Sequence, residues 1–415
     1  MENDDDRVQK MTEFSVERIA IPQSLDGPDA RDFVAGVEVR NASETRAYGT
    51  SEVSYPAAEM LPTWLDPHEP KALWVARAAG TVVGRAVHET QLDPSAPGGV
   101  SEVGWIDVDV HPNFEGRSIG TALATVVEQY ARSLGQTRLV CYAVSPVARV
   151  AGGEQLRPPT GFGSVAAQNR EVRFLLARGY RLEQVERASR FTLPADASRL
   201  AALRREAESA SETKRGEVDT AADLSENSNR VAESAAGETK RHGADAATDS
   251  SVRSPYRVHT WAGPTPAEWL ADLATLLTRM STDAPTAGLD EPEDIWSAER
   301  VAASDARCAA STRDTLTAAI EHLPTGRLVA FSQLAVPNDR ARPVSQEDTL
   351  VLREHRGHRL GLLVKVANLQ FLEREHPGHP SVLTWNAEEN RPMLDVNEAL
   401  GFVLLGYEGA WRLDL

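Results

Sequence analysis

Two stretches of this 415-residue chain, about 240 residues apart, repeat one order of local patterns with weak residue identity. The first is VDVHPNFEGRSIGTAL, Val108–Leu123, and the second is TLVLREHRGHRLGLLV, Thr349–Val364. Each reads as a β-branched run, a short polar loop with glycines, and an apolar helical pattern. A strand-to-helix loop of this kind turns several backbone N–H groups toward one point. It also lies at the positive end of the helix dipole, so it suits an anionic phosphate group. The loop residues that would do this are Gly116, Arg117, Ser118, Ile119, Gly120 and Thr121 in the first copy. In the second they are Arg356, Gly357, His358, Arg359, Leu360 and Gly361. Arg353, Arg356 and Arg359 also make a basic cluster in an otherwise acidic chain, which fits contact with a phosphate.

Carboxylates stand on the strands that lead into both loops. Alternation along the first strand puts Asp107 and Asp109 on one face and Ile106, Val108 and Val110 on the other. Glu347 and Asp348 open the second strand. Each of these is either a proton acceptor beside the loop or a solvated strand end. His111, His355 and His358 lie near the loops, where a histidine either moves a proton or sits exposed beside the phosphate.

These groups need elements to hold them. The net charge of −17 disfavours nucleic acid and anionic membrane surfaces as partners. It is compatible with a cationic small molecule such as an amine, or simply with solubility. No apolar run is long enough to cross a bilayer. The N-terminal MENDDDRVQK lacks the pattern of a secretory signal. The two cysteines, Cys141 and Cys308, have no metal-ligand spacing and read as small buried hydrophobes, so no metal is expected. Together these features place the expected location in the cytoplasm.

The length fits two domains rather than one. The expected organisation is a disordered tail over 1–13, a first domain over 14–194, a flexible linker over 195–254 and a second domain over 255–415. The linker segment lacks aromatic residues and carries few bulky aliphatics after Leu203, so it cannot bury enough surface to offset chain entropy. A helix near its start is compatible with the pattern. The first domain reads as a strand at FSVERIAIP, a helix at Ala30–Ala42 and a hairpin turning at Ala79-Gly80. A strand ending at Pro112, a helix at Thr121–Leu134, the strand TRLVCYAV and a helix at Arg170–Arg178 follow, and a final strand closes it. The second domain repeats this order, with Thr265 as a candidate cap for the helix that starts at AEWL. Its hairpin turns at Thr325-Gly326, and helices are expected at Gly361–Glu373 and Arg391–Leu400.

This order of elements, with its two loops, resembles a tandem member of the GNAT superfamily of acyltransferases. The resemblance rests on Val108-Asp109-Val110-His111-Pro112 followed by the Gly116–Gly120 loop, and on Arg356–Gly361 following Val351-Leu352. It extends to Asn390 before Gly401-Phe402, and the tandem arrangement is similar to that of mycothiol synthase and of actinobacterial tandem members. The resemblance implies an α+β fold of two GNAT-like domains, each a mixed, mostly antiparallel sheet flanked by helices, joined by a disordered linker.

The resemblance further implies that acetyl-CoA is held by the loop amides, and that the backbone at Val108, Val110 and Val351 pairs with its pantetheine arm. Asn390 belongs to the same binding set. Members of the superfamily often carry a tyrosine acid four residues before the Gly-aromatic pair. That position is Leu175 in the first copy and Asn397 in the second, so the usual acid is missing from both. The expected catalytic residues are Glu347, Asp348 and Asn397, with the second copy as the active one. The first copy is expected to bind CoA or to act as scaffold. The activity implied is acetyl-CoA-dependent N-acetyltransfer to the amine of a small molecule by direct transfer. The alternative is a catalytically degenerate CoA-binding or structural module.

Overall fold

The computed structural model describes residues 13–93, 96, 98–145, 153–211 and 254–415. The expected tail and most of the expected linker, 212–253, lie outside these residues.

In the first half, β1 (Phe14–Ile19) is followed by α1 (Ala30–Tyr48) and α2 (Ala57–Trp64). Then come β2 (Lys71–Ala78), β3 (Thr81–Leu92), β4 (Val100–Val110), α3 (Ile119–Ser133) and β5 (Arg138–Ser145). A small hairpin of β6 (Gln155–Leu156) and β7 (Val165–Ala166) precedes α4 (Arg170–Ala177) and β8 (Arg181–Thr192). A helix over 197–211, α5, opens the segment expected to link the halves. The second half runs β9 (Tyr256–Ala262), α6 (Leu270–Asp283), α7 (Ala298–Ala309), β10 (Arg313–His322) and β11 (Arg327–Pro337). It continues with β12 (Val344–Val351), α8 (Leu360–Glu375), β13 (Ser381–Ala387), α9 (Arg391–Leu400) and β14 (Val403–Asp414).

Twelve of these strands form one sheet in the order β1-β2-β3-β4-β5-β14-β8-β13-β12-β11-β10-β9. The ladders are antiparallel except for β4–β5 and β12–β13. The order shows an exchange of terminal strands. The last strand of the chain, β14, flanks β5 of the first half, and β8 flanks β13 of the second. The two exchanged strands then pair with each other and join the halves. Side chains follow the exchange. Trp411 of β14 is fully buried in the first-half core with Leu139, Tyr180 and Leu182. Phe191 of β8 is buried in the second-half core, its ring centroid 5.2 Å from that of Phe402.

Local chemistry explains the elements that matter for function. Helix α3 buries Ile119, Leu123, Ala124, Val127 and Ala131, which recur at helical spacing. It lies close to β3 because Gly84 has no side chain: a Cβ there would stand 2.9 Å from Leu123 Cδ1 and 3.2 Å from the Asp109 carbonyl. Helix α8 is buried on every side. Part of its cover is α5, whose Leu200 and Ala207 join the second core. Helix α6 begins later than the sequence suggests. Thr265 does not cap it, because Thr265 donates its own N–H to Asp305 and a short 3-10 turn over Ala267–Trp269 intervenes. Two helices that the sequence pattern did not reveal are α2, which packs on α1, and α7, which packs on α6 and β10; the two also touch each other.

Because Trp411 fills the core of the half to which it does not belong in sequence, Trp411→Ala should lower the unfolding free energy by about 3–5 kcal/mol. Urea denaturation should show both halves losing structure together. Separate transitions, with only the second half weakened, would contradict the exchange.

Candidate active site

The parallel pairing of β4 and β5 covers only Val103–Trp105 against Arg138–Val140. Beyond these residues the strands diverge. On the face that carries α3 and α4 the divergence opens a cleft of about 770 Å³. Its walls include Val108 and Val110 of β4, Cys141 and Ala143 of β5, Ala124 of α3 and Phe174 and Leu175 of α4. Its mouth is formed by the first glycine loop: Gly116, Ser118, Ile119, Gly120 and Thr121 all line it. Gly116 and Ser118 adopt left-handed backbone conformations, φ +76° and +63°, which turn the chain into α3 with its first N–H groups free of helical partners. Arg117 does not line the cleft. Its guanidinium stacks over Phe114 at 5.0 Å and donates to the Asn113 carbonyl. Glu115, which stands where the loop pattern often has arginine, is neutralised by Arg46 at 3.0 Å and by Arg170.

The second loop has the same backbone, with Gly357 at φ +84° and Arg359 at +55°. Its side chains are engaged within the protein. Arg353 and Arg356 both pair with Asp283, at 2.9 and 2.7 Å, and Arg356 also donates to the Val351 carbonyl. Arg359 pairs with Glu206 of α5. His358 packs near Tyr256, Leu360 is buried, and Gly361 faces Val351. Asn390 occupies the N-cap of α9 without a capping side-chain bond.

Counting from the paired glycines, Ala124 corresponds to Lys365 and Leu175 to Asn397. Where the first pair lines an open cleft, the second forms a buried polar chain. Lys365 donates from Nζ to Asn397 Oδ1 at 2.7 Å, and Asn397 donates from Nδ2 to Asn386 Oδ1 at 2.7 Å. Burial lowers the Lys365 pKa to about 7. Asn397 is 1% exposed and faces this chain.

On the opposite face of the sheet a second cavity of about 490 Å³ meets the first. Glu44, Ile106, Asp107, Tyr142 and Val144 line both. The second cavity is built by the two halves together: Arg40, Glu44 and Tyr55 come from the first, and Glu347, Trp385 and Glu408 from the second. Glu186 of the exchanged β8 completes it. Of the carboxylates singled out from sequence, Asp107 and Glu347 reach this cavity. Asp348 lies on β12 near Asp294 and Glu347, and burial raises it to about 6. Asp107 and Asp109 share one face, as alternation requires, and Arg85 binds both, with Nε 2.8 Å from Asp109.

The cavity is electrostatically unusual. Burial raises Glu44 to about 8, Glu186 to about 8 and Asp107 to about 6; Arg40 opposes it at Glu44, and neighbouring carboxylates add to it at all three. Glu408 is also raised by burial, against hydrogen bonds from Tyr48 and from Trp385 Nε1, the latter at 2.9 Å. Arg40 is tied to the Val53 carbonyl at 2.7 Å and stacks on Tyr55. Sequence reasoning missed Glu44, Glu186 and Glu408. Nothing local marks them, because α1, β8 and β14 meet only through the strand exchange.

Lys365 generates a pH test. In the unfolded chain its amine holds a proton to about pH 10.5, and in the fold only to about 7. The folded state therefore binds fewer protons across that window, so this group makes stability rise with pH through it. Lys365→Met should raise the urea midpoint at neutral pH, and its advantage over the parent should shrink toward about pH 10. A constant difference across that range would contradict the buried, weakly basic amine.

Residues 38–150 match the Acetyltransferase (GNAT) family. No curated protein matches the chain. Among solved structures, a tandem GNAT protein from the clavulanic acid biosynthesis pathway aligns with 97% of this chain and 98% of its own, at 22% identity and a TM-score of 0.63. A GCN5-related N-acetyltransferase from Sphaerobacter thermophilus aligns with 97% of this chain and 95% of its own, at 13% identity and a TM-score of 0.53. Among the described residues no helix is long and apolar enough to cross a membrane. Residues 38–150 thus carry a GNAT acetyltransferase domain, and the chain as a whole has the fold of a tandem GNAT protein.

Proposed function

We propose that the protein is an acetyl-CoA-dependent N-acetyltransferase of the cytoplasm that acts on a cationic small-molecule amine. The donor site is placed in the first half and the acceptor site between the halves. The observation that carries this reading is the meeting of two cavities through the opened β4–β5 pair, one ending at a phosphate-type loop and the other lined by carboxylates. The residues fit the donor. Gly116 and Ser118 hold the loop in the left-handed turn that aims its amides at a phosphate, and the cleft runs from there between the diverging strands. The second half offers no equivalent fit, since Lys365 and Asn397 stand where Ala124 and Leu175 line the cleft.

Acetyl-CoA supplies an activated acyl carbon, which passes from sulfur to the amine nitrogen as a C–S bond breaks and a C–N bond forms. A cationic amine must give up two protons from nitrogen, one before attack and one after; one is returned to the departing sulfur and the other leaves to solvent. Asp107 and Glu44 both line the junction of the cavities. Their surroundings separate them, with Asp107 near 6 and Glu44 near 8. At neutral pH that pair supplies one ionised base and one protonated acid. Arg85 of β3 holds Asp107 and Asp109, while Arg40 and Glu408 act on Glu44 from α1 and β14. The carboxyl of Glu44 would stand in for the tyrosine that the sequence lacks at Leu175 and Asn397.

Two expectations follow. Calorimetry should give one acetyl-CoA bound per chain, and Ala124→Trp, which fills the cleft, should abolish that binding. Binding of two equivalents would restore a donor site to the second half. The pH profile of kcat/KM should rise through about 6, where Asp107 ionises, and fall through about 8, where Glu44 loses its proton. Asp107→Asn should lower kcat/KM by roughly 10²–10⁴-fold and remove the acid limb. An unchanged profile in that variant would remove Asp107 from the reaction.

A further inference from the structure

The acceptor cavity holds more carboxyl groups than one amine needs. We infer that the acceptor carries a second positive charge, read by Glu186 and Glu408 at the end of the cavity remote from the thioester cleft. This rests on the proposed acetyltransferase reading and names the substrate class of that same site.

The argument begins with the sheet. Val144 of β5, Glu408 of β14 and Glu186 of β8 are direct cross-strand partners, so they form one row across three strands. Two carboxylates directly opposite each other on adjacent strands repel, and such pairs destabilise a sheet. Here they lie at its centre, where the exchanged strands join the halves. Glu408 has partial relief from Tyr48 and Trp385. Glu186 has none: among the described residues it makes no hydrogen bond or ion pair, and the charges acting on it are Glu408, Glu291 and Glu389. It nevertheless lines the cavity. A half-buried carboxylate on a cavity wall with only like charges acting on it is costly to keep ionised unless something positive enters. Trp385 adds an aromatic wall suited to a cation, whereas the Tyr55 ring is already stacked by Arg40.

Geometry sets the length of the acceptor. Glu44 and Asp107 sit at the junction, beside the gap between β4 and β5. Glu408 and Glu186 lie one and two strands beyond β5. With strands about 4.8 Å apart, the second cation sits roughly 7–10 Å from the reacting nitrogen. The acceptor is therefore a primary amine with an ammonium or guanidinium at the far end of a flexible chain.

Hexamethylenediamine and hexylamine test this, since they differ only in the second charge. A guanidine-terminated amine of similar length decides which cationic head is preferred. The diamine should exceed the monoamine in kcat/KM by roughly 10–100-fold, the range expected from charge-assisted hydrogen bonds. In Glu186→Gln that ratio should collapse toward one. Equal use of both amines by the parent protein overturns the inference, as does a ratio that survives in Glu186→Gln. Binding is measured separately, by the rise in melting temperature each amine produces in the parent protein. A larger rise with the diamine supports the second charge even if no acetyl transfer occurs, and equal rises overturn it. Absence of turnover together with absence of acetyl-CoA binding counts instead against the acetyltransferase reading.

Discussion

The structure turns on a pairing that stops early. β4 and β5 run parallel, and after Trp105 and Val140 they no longer meet. Backbone groups beyond that point face a gap instead of a neighbouring strand, and buried backbone groups require partners. The glycine loop at Gly116–Gly120 lies at one end of the gap and α3 follows from it. Helices α3 and α4 wall one face, while α1 approaches the other. The two cavities meet at this gap, and among the described residues their common walls are Ile106, Asp107, Tyr142 and Val144 of the two strands with Glu44 of α1. A fully zipped parallel pair would leave two separate surface depressions with no route between them.

Strand exchange then decides what the gap looks onto. A neighbour for β5 has to come from somewhere, and it comes from the end of the chain. β14 brings Glu408 beside Val144, and β8 brings Glu186 beside Glu408. The acidic cavity is thus a product of the junction between halves, and neither half contains it. Burial does the rest. Carboxylates crowded together away from water raise one another's affinity for protons, so several are held well above their ordinary range. A bound cation would reverse that shift. The same carboxyl groups that crowd one another there would then become the cavity's source of affinity.

The sequence was informative where chemistry is local. The loops were legible because strand, glycine turn and helix follow one another along the chain. Their left-handed positions coincide in the two copies, at Gly116 and Gly357 and again at Ser118 and Arg359. The shared face of Asp107 and Asp109 followed from strand alternation, and Arg85 confirms it by binding both. What could not be read is what depends on the exchange. Glu186 and Glu408 look like ordinary strand carboxylates until β8 and β14 are placed side by side. The arginines at 353, 356 and 359 suggested phosphate contact because their partners, Asp283 and Glu206, are 70 to 153 residues distant in sequence. The segment after Ala195 read as linker on composition. Its first part is a helix, because Leu200 and Ala207 find cover against α8, and composition alone does not register a partner surface.

The two halves also show how one scaffold can keep its backbone and change its use. The loop conformation survives in both copies, so the turn itself is a requirement of the fold. The side chains behind it are free to differ. In the first half Ala124 and Leu175 are small or apolar and line open space. In the second, Lys365 and Asn397 occupy the corresponding positions; Lys365 donates directly to Asn397, which donates on to Asn386. A lysine is a costly way to fill an interior, because its charge must be given up or paired. Burial lowers its proton affinity accordingly. The exchange explains how such a change is tolerated. The second half's contribution to the acidic cavity comes from Glu347, Trp385 and Glu408, on β12, β13 and β14. None of these depends on an open cleft behind Arg359. On the proposed reading the second half supplies the acceptor wall through its strands, and the space behind its own loop needs only to be filled.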